Sequence, residues 1–132
     1  MKVGLALYEL LTGNSAVNTE VSGRIYPERA PEGVAVPYIV YSITSNEPSD
    51  NKERTPVDEA QVEIFSVAST YGDSNNLADM VRTALDRQGV SVDISAGTIV
   101  VQSIRYTNEY SEVSDDRKYY AQVQDYSIRI TR

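Results

Sequence analysis

Apolar residues recur along the first dozen positions with the spacing of an amphipathic helix. One face carries them at positions i, i+4, i+7 and i+8: Val3, Leu7, Leu10 and Leu11. Gly13 and Asn14 follow and supply a helix stop signal. The pattern predicts a helix over residues 2–12, and the small, polar residues 13–22 predict no regular element.

The next segments alternate short apolar runs with polar connections. Residues 23–27 read as a short strand ended by a proline, and the proline- and glycine-rich residues 28–36 as a loop. Residues 37–45, PYIVYSITS, are rich in β-branched and aromatic side chains on both parities, which predicts a strand covered on both faces. Residues 45–56, SNEPSDNKERTP, have no apolar side chain and predict a long exposed loop.

The middle of the chain predicts a strand followed by a helix. Residues 57–69 alternate between apolar and polar positions, as in a strand with one solvated end. A helical stripe then runs through Leu77, Met80, Val81, Ala84 and Leu85. Asp73 or Ser74 is a suitable N-cap and Gly89 a suitable C′ residue, so we expect a helix over residues 74–88.

The last third of the chain predicts a hairpin, a loop and a final strand. Residues 90–94 and 98–107 read as strands joined by the three residues Ser95, Ala96 and Gly97. Residues 108–117 are polar and predict a second exposed loop, after which residues 118–131 read as a strand.

The final strand changes its apolar parity part-way. The apolar positions are Tyr119, Ala121 and Val123, and then Tyr126, Ile128 and Ile130. Because the pleat alone cannot move side chains across a sheet, we expect a bulge near Gln124 and Asp125. Strands segregated from only two helices predict a single α+β domain over residues 1–132, with a mostly antiparallel sheet.

Charge and composition exclude several classes of partner. The formal net charge of -7 disfavours nucleic-acid binding, since the chain would repel a phosphate backbone. The apolar runs are too short for a membrane helix, and residues 1–11 lack a signal peptide's cleavage region. The absence of cysteine fits a protein made in the cytosol.

The sequence offers no candidate catalytic, metal or cofactor site. Without histidine or cysteine, serine–histidine and cysteine–histidine triads are impossible, and no glycine-rich phosphate loop is present. The acidic pairs Asp58–Glu59 and Asp115–Asp116 match no calcium-loop pattern, so we interpret them as solvated charge. We therefore expect a protein that is not an enzyme and holds no cofactor.

Tyrosine dominates the aromatic residues, with ten tyrosines against one phenylalanine and no tryptophan. Five of the tyrosines crowd the last strands: Tyr106, Tyr110, Tyr119, Tyr120 and Tyr126. Half-buried sheet positions favour tyrosine, and so do protein interfaces, so both readings stay open. Base stacking is disfavoured because it needs a cationic groove.

One segment resembles a known family. Residues 23–45, GRIYPERAPEGVAVPYIVYSITS, are similar to the hallmark of phage tail completion, or tail terminator, proteins. The motif positions are Arg24, Ile25, Tyr26, Pro27, Ala30, Pro31, Pro37, Tyr38, Ile39, Val40 and Tyr41. The resemblance extends over the chain, more weakly after residue 95, and departs at Phe65–Ser66, where many relatives have a tryptophan.

The resemblance implies a structural virion protein at the head-proximal end of a phage tail. Such a protein assembles as a ring, usually of six subunits, stops polymerisation of the tail tube and joins the tail to the head. Its implied partners are copies of itself, the tail tube protein and a head-completion or neck protein. The alternatives are another ring-forming neck or connector component and a small cytosolic enzyme or ligand-binding domain.

A ring of identical subunits needs two different surfaces that meet. We expect these on the two polar loops, with the candidate interface residues Glu47, Asp50, Lys52, Arg54, Tyr110, Glu112 and Arg117. The motif itself reads as scaffold, in which prolines rigidify a connection and Tyr26, Ile39 and Tyr41 pack against the helices. Arg24, at a strand start, is a candidate for pairing with an acidic neighbour.

Overall fold

The computed structural model describes residues 2–48, 57–86, 88–94, 97–114 and 118–131. The three helices are α1 (Lys2–Gly13), α2 (Ser15–Val21) and α3 (Tyr71–Leu85). The six strands are β1 (Ile25–Pro27), β2 (Tyr38–Pro48), β3 (Val57–Ala68), β4 (Gln88–Ile94), β5 (Gly97–Val113) and β6 (Tyr120–Thr131).

The strands form one sheet in the order β1-β2-β3-β6-β5-β4. The short edge strand β1 runs parallel to β2, and the other neighbours are antiparallel. The predicted α+β class with a mostly antiparallel sheet is therefore confirmed.

The helices cover one side of this sheet, which we call the helix face; we call the other side the open face. Buried residues of α1 and α3 pack on helix-face residues of the strands in one hydrophobic core. A row across that core runs from Tyr41 through Ile64 to Gln124 and Glu109 on the four long strands. The core thus ends, at the β5 side, on polar side chains.

The prediction of two helices is wrong, because residues 15–21 form the short helix α2. Asn14 is its N-cap, and its side-chain oxygen accepts a hydrogen bond of 3.1 Å from the N–H of Val17. Val17 and Val21, four residues apart, are fully buried. Two buried apolar residues in seven are too few to show a helical period, which is why the sequence pattern missed α2.

Helix α3 begins and ends about one turn earlier than residues 74–88. Its N-cap is Thr70, whose hydroxyl accepts from the N–H of Asp73, and Asp86 is the C-cap. Ser74, predicted as a cap, lies within the first turn and donates to the carbonyl of Tyr71. Gly89, predicted as the C′ residue, belongs to β4.

Strand β5 continues to Val113, so the prediction of a loop over residues 108–117 is wrong for its first half. Asn108, Glu109, Ser111 and Glu112 gave this segment its polar character, yet all of them pair with β6. A strand with one solvated face and a polar cluster on the other lacks the apolar alternation that identifies strands.

The expected bulge near Gln124 and Asp125 is also wrong. Strand β6 pairs with β3 without interruption from Tyr120 to Thr131. The irregularity lies in the neighbouring strand, between Tyr106 and Asn108. The apparent change of parity arises because Gln122 and Gln124 are buried on the helix face, while Val123 is buried on the open face.

The remaining boundaries agree within a few residues. Helix α1, strand β3 and the hairpin of β4 and β5 lie where the pattern placed them. Strand β2 runs to Pro48, so residues 45–48 are strand rather than loop. The rest of that predicted loop, and two of the three hairpin residues, Ser95 and Ala96, lie outside the described residues.

Candidate functional site: the two ends of the sheet

The family-like segment builds one edge of the sheet. The N–H of Ile39 donates to the carbonyl of Arg24 at 2.9 Å, and the Arg24 Nε donates to the carbonyl of Pro37 at 3.1 Å, next to the cis peptide bond between Val36 and Pro37. Arg24 thus joins β1 to β2 through a main-chain carbonyl rather than the acidic neighbour expected for it.

The tyrosines of this segment divide between the two faces. Tyr41 is buried on the helix face with Ile39, as expected. Burial, with smaller contributions from Tyr8 and Glu28, raises the pKa of Tyr41. Tyr26 does not pack against the helices; it lies on the open face, its ring edge-on to Tyr38 with centroids 6.5 Å apart.

Glu28 closes the sheet edge where β1 ends. Its backbone has a φ of 65°, a left-handed conformation that turns the chain back toward β2. One carboxylate oxygen accepts from the Ser42 hydroxyl at 2.9 Å, and the other lies 3.5 Å from the N–H of Ile43. A side chain therefore takes the place of the next β1 residue and shields the first part of the exposed β2 edge.

Toward the opposite edge of the sheet, a cluster of polar side chains around Glu109 connects β5 and β6. Its Oε2 accepts from Gln122 Nε2 at 2.6 Å, and its Oε1 accepts from Gln124 Nε2 at 2.8 Å and from the Tyr106 hydroxyl at 3.2 Å. Gln122 in turn accepts from Ser111. We call these residues, together with Tyr126, the Glu109 cluster.

The Glu109 cluster ties strands β5 and β6 to helix α3. Gln124 is fully buried and also donates to the carbonyl of Ala78 in α3 at 3.0 Å, while its amide oxygen accepts from the Tyr126 hydroxyl. Burial is the main reason why the pKa of Tyr126 lies above its usual value. The Arg82 guanidinium stacks 3.9 Å from the centre of the Tyr106 ring. These contacts saturate the polar groups internally, so the cluster has a structural role.

Exposed aromatic and aliphatic side chains gather where β5 ends and β6 begins. The exposed fractions are 51% for Val113, 40% for Tyr119 and 58% for Tyr71. Val113 and Tyr119 line a groove of about 200 Å³ together with Tyr38, Val67, Glu112, Ser114 and Ala121. Tyr38, Val67, Glu112 and Ala121 place this groove on the open face, whereas the Val113 side chain alternates to the helix face at its rim.

The interface candidates within the described residues lie toward opposite edges of the sheet. Glu47 is exposed on β2, whereas Tyr110 and Glu112 are exposed on β5, and all three project from the open face. The Tyr110 hydroxyl donates to Glu63 at 3.2 Å, and the pKa of Tyr110 is raised by partial desolvation and by that carboxylate. Asp50, Lys52, Arg54 and Arg117 lie outside the described residues.

The described residues include no group of three or more acidic or other ligand side chains that could hold a metal ion. Asp58 and Glu59 project to opposite faces, as adjacent strand residues do. Asp115 and Asp116 fall in a range that the structure does not describe. Among the described helices, none is long and apolar enough to cross a membrane.

Comparison with known protein families identifies the family of this chain. The profile of the family described as tail completion protein gp17 matches residues 5–131. The chain belongs to this family. As a tail completion protein it is a structural component of a phage tail, a part of the virion that assembles with other virion proteins.

A solved structure supports the fold of this tail completion protein. A chain in the virion of a native gene transfer agent particle has a TM-score of 0.72 to it at 15% sequence identity. The similarity covers 96% of this chain and 92% of that one. At this identity the likeness concerns the fold. A search of curated protein sequences finds no match.

Proposed function

We propose that this protein forms a ring, of six copies by the family resemblance, at the head-proximal end of the tail. The ring ends polymerisation of the tail tube and joins the finished tail to the head. The observation that carries the proposal is the family match over residues 5–131. The partners it implies are other copies of the chain, the tail tube protein and a head-completion or neck protein.

The fold supports a ring because its two sheet edges differ. Ring contacts are heterologous, so each subunit needs two unlike surfaces. One edge carries Glu47 on β2, and the other carries Tyr110 and Glu112 on β5. We propose that these residues, with Asp50, Lys52, Arg54 and Arg117, contact ring neighbours or the tube.

Removal of the gene from the phage or prophage that encodes this protein tests the proposal. Electron microscopy should show overlong tails without heads, and the intact gene supplied in trans should restore normal particles. Tails of normal length that lack heads would favour a neck connector instead. Tails with normal length and attached heads would refute the proposal.

Deletion of residues 48–55 tests the part assigned to the first loop. The expected result is a folded protein that no longer restores tail length or head joining in the strain that lacks the gene. Circular dichroism and thermal unfolding serve as the control for folding. Normal tails with the shortened protein would exclude a role for this segment.

A further inference from the structure

Strands β2 and β5 are each paired along only part of the edge that faces away from the centre of the sheet. Strand β1 pairs with β2 from Ile39 to Tyr41, and β4 pairs with β5 from Gly97 to Ser103. Within the described ranges, no strand lies beside β2 after Tyr41 or beside β5 after Ser103. Unpaired main-chain N–H and C=O groups of this kind are templates for a strand from another chain.

The hydrogen-bond pattern shows which residues direct these groups outward. The Ile39 N–H donates to the Arg24 carbonyl, and the Tyr41 carbonyl accepts from the Glu28 N–H. The main-chain N–H and C=O groups of the helix-face residues of β2 therefore point away from β3. After the irregularity at Thr44, the helix-face residue is Asn46. The same alternation across the antiparallel sheet directs Glu109, Ser111 and Val113 outward from β5.

These directions make the two edges compatible with each other. In the sheet, β2 and β5 run in opposite directions, so two copies in the same orientation would bring β5 of one antiparallel to β2 of the next. On both strands, the residues whose main-chain groups point outward carry their side chains on the helix face. Residues that exchange hydrogen bonds in an antiparallel pair project on the same side, so the helices of both copies would lie on one side of a continuous sheet. A ring on a rotation axis also gives every copy the same orientation, so this arrangement is compatible with a ring.

The partial edge strands select a register for such a pair. In its own chain, Asn46 lies level with Ile104, and β1 lies level with Glu109 to Ser111. A neighbour must therefore move along the strand direction until its β1 clears Val113. Pairing Asn46 with Ser111 achieves this, with a displacement of about six residues or roughly 20 Å.

We propose that successive copies of the chain join by pairing β2 of one copy with β5 of the next, with Asn46 opposite Ser111. The inference rests on the proposed ring and names its contact surface. In this register Glu47 faces Tyr110 and Ser45 faces Glu112 on the open face. Pro48, which has no N–H, lies opposite Glu109 and ends the pairing.

Features beside both edges support a covered surface. The Asn46 side-chain oxygen is buried and has no hydrogen-bond partner among the described residues. Leu5 and Tyr8 of α1 are exposed, and α1 approaches β2 so closely that a Cβ added at Gly4 would lie 3.3 Å from the Ile43 side chain. Tyr110, 40% exposed, and Val113 flank the β5 edge. Both edges thus combine unpaired polar groups with exposed apolar side chains.

Disulfide mapping tests the register directly because the chain contains no cysteine. The variant Glu47→Cys/Tyr110→Cys places its thiols on a non-hydrogen-bonded cross-strand pair, with Cα atoms about 4.5 Å apart, which suits a disulfide. Ser45→Cys/Glu112→Cys is the second pair of the same register. Glu47→Cys/Arg105→Cys is the matched control, since Arg105 is also exposed on the open face of β5 but lies about 14 Å from the required position.

The full-length variants are oxidised in their assembled form and analysed by denaturing gel electrophoresis. That form is the purified multimer where light scattering shows one, and otherwise isolated tails. Both in-register double variants should give a ladder of covalent multimers, and mixed single variants should give dimers only. Single variants alone and the control pair should give no crosslinks.

Two results would overturn the proposed pairing. Dimers of Tyr110→Cys alone would show a two-fold contact between β5 edges, and an assembled protein without the ladder would exclude the register. In the latter case the proposed ring still stands if gene removal disturbs the tails. Conversely, a ladder combined with normal tails after gene removal would support the pairing and refute the proposed function.

Discussion

Gln124→Ala should be among the most destabilising substitutions in the sheet, although glutamine is usually a surface residue. The side chain is fully buried, donates to the Ala78 carbonyl and to Glu109, and accepts from Tyr126. Truncation leaves the buried Tyr126 hydroxyl without its acceptor and takes one donor from the Glu109 carboxylate, whereas the Ala78 carbonyl keeps its helical hydrogen bond within α3. At about 1–3 kcal/mol for each of these two lost bonds, the expected loss in free energy of unfolding is roughly 2–6 kcal/mol.

Urea denaturation followed by circular dichroism measures this loss. The matched control is Gln102→Ala, which removes an exposed bond of 3.1 Å to Thr131 at the far end of the sheet and should cost less than about 0.5 kcal/mol. A double-mutant cycle with Tyr126→Phe should show coupling, because both residues share one hydrogen bond. If Gln124→Ala costs no more than the control, the Glu109 cluster does not hold β5 and β6 to α3.

Other substitutions test the remaining elements. Asn14→Ala removes the N-cap of α2 and should lower the free energy of unfolding by about 1 kcal/mol in urea titrations; an unchanged midpoint would mean that the cap contributes nothing. Leu77→Ala, at a position 1% exposed, should cost about 2–5 kcal/mol by the same assay, and a loss below 1 kcal/mol would place it outside the core. Because the folded-state pKa of Tyr126 is raised, its contribution to stability is full below pH 10 and declines above it. Thermal melts at pH 9 to 11 should show a shallower decline for Tyr126→Phe, and identical profiles would contradict the assigned burial.

The sequence predicted elements well where apolar period and propensity coincide. The stripe of α3 shows this: Leu77, Val81 and Leu85 are all buried, as the period requires. Its start was wrong by one turn because Thr70, Asp73 and Ser74 are all competent caps, and only the tertiary position of the chain decides among them. Helix α2 was missed because its helical character depends on two valines packed against other elements.

The second half of β5 and the Glu109 cluster could not be predicted from the sequence for a different reason. Patterns treat glutamate and glutamine as solvent-facing, whereas Glu109, Gln122 and Gln124 satisfy one another inside the fold. Such mutual satisfaction depends on pairing between β5 and β6, and a single strand's period carries no sign of it. Among the predicted interface residues, Glu47 lies exposed toward one edge of the sheet, and Tyr110 and Glu112 lie exposed toward the other. The order of residues along the chain does not reveal this separation.

Reconstruction of the head–tail junction of intact particles by electron cryomicroscopy would show directly whether this protein forms a ring at the head-proximal end of the tail. We expect a closed ring of this chain between the last tube ring and the neck, with the helices of all copies on one side of the joined sheets. Particles in which the chain lies elsewhere along the tail, or in which this position holds another protein, would contradict the proposed function.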